Sequence, residues 1–280
     1  MDRRQFIATG LAVVGTVLLD GCGGSSSSSD LVLVPNDWEF MSGGDYRLAI
    51  LLASAKQNGA PLTLNSPVTI QVGAQNAPLG PPLPMVIHAD GPEPTYALTT
   101  YRFDKPGVYT LRAKWQGKTA SLPITVIEPS ASATPVVGQK LPSVVTPTPA
   151  DAQGVNPVCT ATPQCPFHAI SLDAALARGD RIALLFATPA LCQSKFCGPV
   201  LNNLQSVSAP WLQTVTFIHN EIYTDLSGTI TTKAVNTYKL EHEPMLYLAG
   251  ADGVIKTRID NLFDQTEAKD ALTKAFGPAA

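Results

Sequence analysis

Four cysteines carry the chemistry this sequence can do. Cys159 and Cys165 have five residues between them, Cys192 and Cys197 have four, and a fifth, Cys22, stands apart near the N-terminus. A thiol acts as nucleophile or metal ligand only as thiolate, so its surroundings must lower its pKa. Cys197-Gly198-Pro199 runs into Val200, Leu204 and Val207 at helical spacing. That places Cys197 at the start of a helix, where a proline is tolerated in the first turn. The unpaired amides and the dipole of a helix N-terminus favour negative charge. Cys197 is therefore expected near the N-cap as the stabilised thiolate, with Cys192 the more exposed partner and Lys195 adding positive charge. A disulfide needs Cα atoms about 4.4–6.8 Å apart, and a loop with four intervening residues can fold back that far. Spacing does not fix the order of attack, so either cysteine can lead.

Cys159 and Cys165 flank Thr160-Ala161-Thr162-Pro163-Gln164 and are followed by Pro166-Phe167-His168. The expectation is a structural disulfide pinning the start of their domain, which gains only modest closure entropy from so small a loop. The alternatives are a second redox pair relaying electrons with Cys192 and Cys197, and a four-cysteine zinc site. The Cys159–Cys165 spacing does not suit zinc. His219, in Phe217-Ile218-His219-Asn220-Glu221, falls at the C-terminal end of a strand, where open α/β sheets place their sites. Its reading is structural, with an auxiliary role beside the cysteines as the alternative. His88 stands alone among loop-like residues and reads as a surface side chain. No Gly-rich phosphate loop, Ser/His/Asp ordering or carboxylate pair stands out.

The elements that must position these groups fall into two domains, as suits 280 residues. Apolar content of 45% excludes global disorder, and 15% charge with a net −3 and no long basic run argues against a nucleic-acid partner. Residues 31–128 read as β. Tyr109, Leu111, Ala113 and Trp115 alternate with polar residues, and further strands are expected at 46–54, 68–72, 96–103 and 119–127. Short strands at this spacing suggest an antiparallel sandwich resembling the immunoglobulin architecture, in the role of spacer or docking module. Residues 129–150 hold five prolines and read as an extended, semi-rigid linker. Val136, Val144 and Val145 are its candidates for lying against a domain surface.

From 151 to 280 helix and strand signals alternate. A helix capped by Ser171 ends at Gly179, buried strands follow at 181–187 and 214–219, and a helix at 231–238. Residues 245–249 and 254–259 form a hairpin through Ala251-Asp252-Gly253. Asp264 and Glu267 form a capping box for the last helix, which Gly277-Pro278 stops.

The first 22 residues read as an address. Arg3-Arg4-Gln5-Phe6 precedes about a dozen apolar residues, too few to span a bilayer, and resembles a twin-arginine export signal, an ordinary secretory signal being the alternative. Leu19-Asp20-Gly21-Cys22 resembles a bacterial lipobox, with Asp20 an unusual residue in its middle. That resemblance implies diacylation of Cys22, a flexible tether over 23–30 and anchorage to a bacterial membrane facing the periplasm or the exterior. The remaining four cysteines then sit in an oxidising compartment.

The order of elements after 151, with Phe186-Ala187-Thr188-Pro189-Ala190-Leu191-Cys192, Cys197-Gly198-Pro199 and Glu243-Pro244-Met245-Leu246-Tyr247-Leu248, resembles the thioredoxin superfamily over about 125 residues. The resemblance implies an α/β thioredoxin fold and thiol–disulfide exchange through Cys192 and Cys197. Its clients would be envelope protein disulfides or a redox partner protein, and it needs no cofactor. It also implies a cis Pro244 against the active cysteines. Cys197-Gly198-Pro199 copies the first three residues of thioredoxin's Cys-Gly-Pro-Cys, but Val200 replaces the fourth, so Cys192 must supply the second thiol. The chain also resembles the Sco-type copper proteins. That reading implies a copper chaperone using Cys192, Cys197 and His242, although the cysteine spacing is one residue longer and Pro244 is unusual there. Two thiolates and an imidazole suit copper. A peroxidase of the peroxiredoxin kind fits less well, with Thr188 four residues before Cys192 and no arginine placed. The remaining alternative is a non-catalytic envelope interaction module.

Overall fold

A computed structural model describes residues 30–91 and 94–278. The export signal and Cys22 lie outside the described residues. Among these, no helix is long and apolar enough to cross a membrane.

The N-terminal half contains β1 (Leu31–Pro35), β2 (Phe40–Met41), β3 (Asp45–Ser54), β4 (Ala60–Pro61), β5 (Val68–Ala74), β6 (Leu83–His88), β7 (Tyr96–Arg102), β8 (Gly107–Trp115) and β9 (Lys118–Ile127). In β8, Leu111, Ala113 and Trp115 are buried while Arg112 and Lys114 point to water, the period-2 pattern of a half-buried strand. β6 changes partner midway: residues 83–85 pair with β5 and 86–88 with β7. The result is one curled nine-stranded sheet, whose two halves share a core including Ile50, Leu52, Ile70, Leu111 and Ile124. The sequence reading omitted β6 because Pro81, Pro82 and Pro84 gave its surroundings a loop-like composition.

The second half builds a four-stranded sheet from β10 (Ile182–Phe186), β11 (Thr216–Asn220), β12 (Met245–Ala249) and β13 (Ile255–Asp260), in the order β11-β10-β12-β13. β10 is parallel to β11 and antiparallel to β12, and β12 is antiparallel to β13. Every residue of β10 and β12 is buried, which explains their unbroken apolar runs: both faces of the sheet are covered. Ile182, Leu184 and Phe186 pack with α1 (Leu172–Arg178) and α3 (Lys233–Tyr238). Ala183 and Leu185 pack on the other face with α2 (Cys197–Ser208) and α4 (Gln265–Phe276).

Asp264 caps α4 by accepting from the Glu267 amide at 2.8 Å. Glu267 does not complete the expected box, because Arg47 and Tyr96 of the N-terminal half take its carboxylate. Arg47 also bonds Asp37 at 2.6 Å and the Leu262 carbonyl at 2.9 Å. Asn36 pairs with the Leu262 backbone through both its amide groups. Ala49, Leu51 and Tyr96 belong to the same apolar cluster as α2 and α4, so the two halves share a core. His88 belongs here too. Contrary to its surface reading, it is 8% exposed, stacks on Tyr96 and lies 2.9 Å from Asp264.

Residues 129–150 open on a short 3-10 helix at Pro129–Ala131 and form no other helix and no strand. They are tied along β13 by Gly138 N to Ile255 O and Leu141 N to Gly253 O, both 2.9 Å. Val136 and Val144 are buried, as is Leu141.

Burying Arg47 against Asp37 and Glu267 costs desolvation that only the complete set of partners offsets. Arg47→Met is expected to lower stability by about 3–5 kcal/mol, read as a lower urea midpoint, because it strands two buried carboxylates.

Candidate functional site

The C-terminal ends of β10 and β11 and the N-terminal end of β12 share one edge of the sheet. The segment after β10 turns at once, with the amides of Leu191 and Cys192 both bonded to the Thr188 carbonyl at 3.1 and 2.9 Å. Lys195, exposed and left-handed at φ 62°, folds the chain back towards the start of α2. The Cys192 sulfur then accepts from the Cys197 amide at 3.3 Å and lies 3.2 Å from the Ser194 hydroxyl. Four intervening residues do close the gap.

The charge settles on Cys192 rather than on Cys197. The Cys192 thiol is lowered to about 6, first by the hydrogen bond from the Cys197 thiol and then by Ser194 and the amides of Cys197 and Phe196, all working against burial. Cys197 is fully buried, and burial pushes its thiol well up, with Cys192 and Glu243 adding to the shift. The expected thiolate at Cys197 is therefore reversed. The amides at the start of α2 face the sulfur of the preceding loop instead of the sulfur borne by the helix itself. Cys192 is the more exposed of the two, as its place in the loop implied.

Glu243 was not singled out in the sequence; its one signal is its place immediately before Pro244. Its Oε2 accepts from the Thr188 amide at 2.7 Å and lies 3.1 Å from the Cys197 sulfur. Burial, reinforced by the Cys192 charge, raises its carboxyl well above the usual range. The Cys197 proton thus has two acceptors within reach, the Cys192 sulfur and Glu243. The Glu243–Pro244 peptide is cis, and the Pro244 carbonyl accepts from the Asn261 amide at 2.9 Å.

His242 takes a different position from the one a copper site with Cys192 and Cys197 would need. Its ring stacks on Trp38 at 4.3 Å and its Nε2 lies 3.6 Å from Asp260 Oδ2. Glu243, not His242, groups with the two thiols within ligand reach.

His219 stands beside the other cysteine pair. Its Nδ1 lies 3.3 Å from the Cys165 sulfur, 3.8 Å from that of Cys159 and 3.2 Å from His168 Nε2. All four side chains are buried. Cys159 and Cys165 are free thiols here rather than the expected disulfide. A hydrogen bond between them lowers Cys159 and raises Cys165. Glu221 holds their loop by accepting from the Thr160 amide at 2.6 Å. His168 had a sequence signal, three residues beyond Cys165, that only the fold makes legible. The four cysteines form two separate groups among the described residues.

No family model matches the chain, and no curated protein matches it in sequence. Among solved structures, one provisionally described as the thiol:disulfide interchange protein DsbE from Chlorobium tepidum aligns at 10% identity. It covers 50% of this chain and 94% of its own, with a TM-score of 0.34. The Lin-41 filamin domain aligns at 16% identity over 35% of this chain and 93% of its own, TM-score 0.24. A provisionally described lipoprotein from Bacillus anthracis aligns at 14% over 34% and 73%, TM-score 0.23. Likeness at these scores fixes neither fold nor activity.

The shift of Cys192 has a direct readout. Alkylation of the reduced protein by iodoacetamide, with the modified residue identified by mass spectrometry, is expected to rise through a midpoint near 6 for Cys192. Cys197→Ala removes the largest stabilising hydrogen bond and is expected to move that midpoint up by about a unit or more. The Cys192 contribution to the stability of the reduced protein has a definite sign. A depressed folded-state pKa contributes in full above the usual thiol range and is lost as pH falls through about 6.

Proposed function

We propose that the protein carries out thiol–disulfide exchange through Cys192 and Cys197. In this reading it is an exported, lipid-anchored protein with a thioredoxin-like catalytic half and an immunoglobulin-like N-terminal half. The observation that carries the reading is the asymmetry of the pair: one partly exposed sulfur held by amides at the start of a helix, and one buried sulfur beside a buried acid. The parallel β10–β11 pair followed by the β12–β13 hairpin supports the assignment of the thioredoxin type, as does the helix that begins at the second cysteine.

The exchange follows from the geometry. The Cys192 thiolate attacks one sulfur of a client disulfide, forming a mixed disulfide and releasing the other client sulfur as thiolate. Cys197 then gives its proton to Glu243, and its thiolate attacks the Cys192 sulfur. The mixed disulfide breaks, the second client thiolate leaves, and Cys192–Cys197 becomes the disulfide. Two electrons pass to the client, and the proton on Glu243 goes on to the departing thiolate. The attacking sulfur has a pKa near ambient pH, where thiolate fraction and nucleophilicity are balanced.

Incubating reduced variants with a disulfide-bonded substrate such as insulin tests the assignment. Cys197→Ser is expected to accumulate a mixed disulfide through Cys192, while Cys192→Ser forms none and loses turnover. Equal reactivity of the two variants, or no turnover by reduced wild type, overturns it and leaves a non-catalytic envelope module. Glu243→Gln is expected to slow the second step, lengthening the life of the mixed disulfide while the first attack proceeds.

A further inference from the structure

We propose that Cys159, Cys165, His168 and His219 form a closed binding site for one divalent soft-to-borderline metal ion, of which Zn²⁺ is the type, separate from the exchange cysteines. The donor set is two sulfurs and two imidazole nitrogens, all buried and all mutually within 4.8 Å. Such a set suits tetrahedral zinc better than the oxygen-seeking cations.

The separations fit a coordination shell. With Zn–S near 2.3 Å and Zn–N near 2.0–2.1 Å, the edges of a tetrahedron are about 3.4 Å between nitrogens and about 3.6 Å between sulfur and nitrogen. The corresponding distances are 3.2 Å for His168 Nε2 to His219 Nδ1, and 3.3 and 3.8 Å for the two sulfurs to His219 Nδ1. A disulfide would draw the two sulfurs together and leave the histidines without purpose at that spacing.

The tautomer of His219 is set for ligation. Its Nε2 lies 2.9 Å from the Ala187 carbonyl, which can only accept, so Nε2 carries the proton and Nδ1 of the neutral ring turns a lone pair towards both sulfurs. An imidazole that donates its other N–H to a carbonyl is the usual outer support of a metal-ligating histidine. The His219 amide is bonded to the Phe167 carbonyl at 2.8 Å, which locks the segment bearing Cys165 and His168 to the edge of β11.

Charge selects the ion. Two thiolates and a divalent cation sum to zero, whereas a monovalent ion leaves a net negative charge buried at a site whose His219 Nε2 already lies 3.9 Å from the Glu221 carboxylate, at a desolvation cost. With four protein ligands the site keeps no open position, so its role is to hold the 155–168 segment rather than to catalyse. A surface depression of about 340 Å³, lined by residues including Pro157, Cys159, Gln164, Ala190 and Leu226, provides an entry path.

The test uses the full chain, reduced, stripped with chelator and titrated with Co²⁺ and then Zn²⁺. One equivalent of Co²⁺ is expected to give the intense visible bands of a tetrahedral site with sulfur-to-metal charge transfer, which one equivalent of Zn²⁺ abolishes. The Cys192→Ser/Cys197→Ser double variant is expected to keep these bands, and His168→Ala and Cys165→Ser to lose them. As a measurement free of folding effects, Zn²⁺ is expected to protect Cys159 and Cys165 of the wild type from iodoacetamide while Cys192 stays reactive. The proposal fails if no tetrahedral signature appears, if the signature is lost in the Cys192/Cys197 double variant, or if Zn²⁺ leaves Cys159 and Cys165 unprotected. These outcomes are independent of insulin turnover, so loss of the metal site and loss of the exchange reading are distinguishable.

Discussion

The Ala187–Thr188 peptide group at the end of β10 has run out of strand partners, and each of its two poles holds a functional candidate. The Ala187 carbonyl takes the Nε2 proton of His219 at 2.9 Å, and the Thr188 amide binds Glu243 at 2.7 Å. The Thr188 carbonyl receives the amides of Leu191 and Cys192, and its hydroxyl accepts from the Ile222 amide at 2.7 Å. Buried backbone groups need partners. Here the obligation falls on side chains that carry the chemistry, so the register of one buried strand fixes both sulfur clusters. Displacing β10 by one residue would exchange its two faces and detach both.

The N-terminal half is part of this constraint. Arg47 reaches across to Glu267 and the Leu262 carbonyl, while Arg258 of β13 reaches back to Glu39 at 3.0 Å and to Asp260 at 2.8 Å. Each cation meets carboxylates from both halves, so neither half satisfies its own buried charges. Trp38 closes over His242 in the same seam. A free spacer would need none of this, and the sequence reading of residues 31–128 as a spacer or docking module did not reach these pairs, because charges paired across a boundary look, in sequence, like ordinary solvated ones.

What the sequence makes legible follows the range of the interaction. β12 over residues 245–249 and the Asp264 cap of α4 depend on local apolar runs and local hydrogen bonds, and they were readable. The C-x4-C pair was readable as a pair because its closure is a short-range event. The thiolate assignment was not, since it depends on which sulfur faces the amides of Phe196 and Cys197, and that is decided by Ser194 and Lys195 folding the loop. Glu243 and His168 are further from reach. One stands 46 residues from the thiol it approaches and the other 51 residues from His219, and their neighbours Pro244 and Cys165 mark a place without naming a partner. His88 failed for the same reason, its partner Asp264 lying 176 residues away.

Two dithiol groups in one small α/β sheet pose a chemical problem, because any thiolate that reaches a disulfide will exchange with it. The fold answers through access. Cys192 alone of the four is only partly buried, its sulfur held by the Cys197 amide and the Ser194 hydroxyl. Cys159 and Cys165 are 3% and 6% exposed and face inward to His219, so a protein-borne disulfide is kept from both, while the depression beside Cys159 is open to ions and small reagents. The shared β10 end then keeps the groups apart. Ala187 and Thr188 direct His219 and Glu243 to different sulfurs, so that a proton moving between Cys197 and Glu243 does not pass through the imidazoles. The opposed C=O and N–H of one peptide group are separation enough because a hydrogen bond, unlike a charge, acts only where it is aimed.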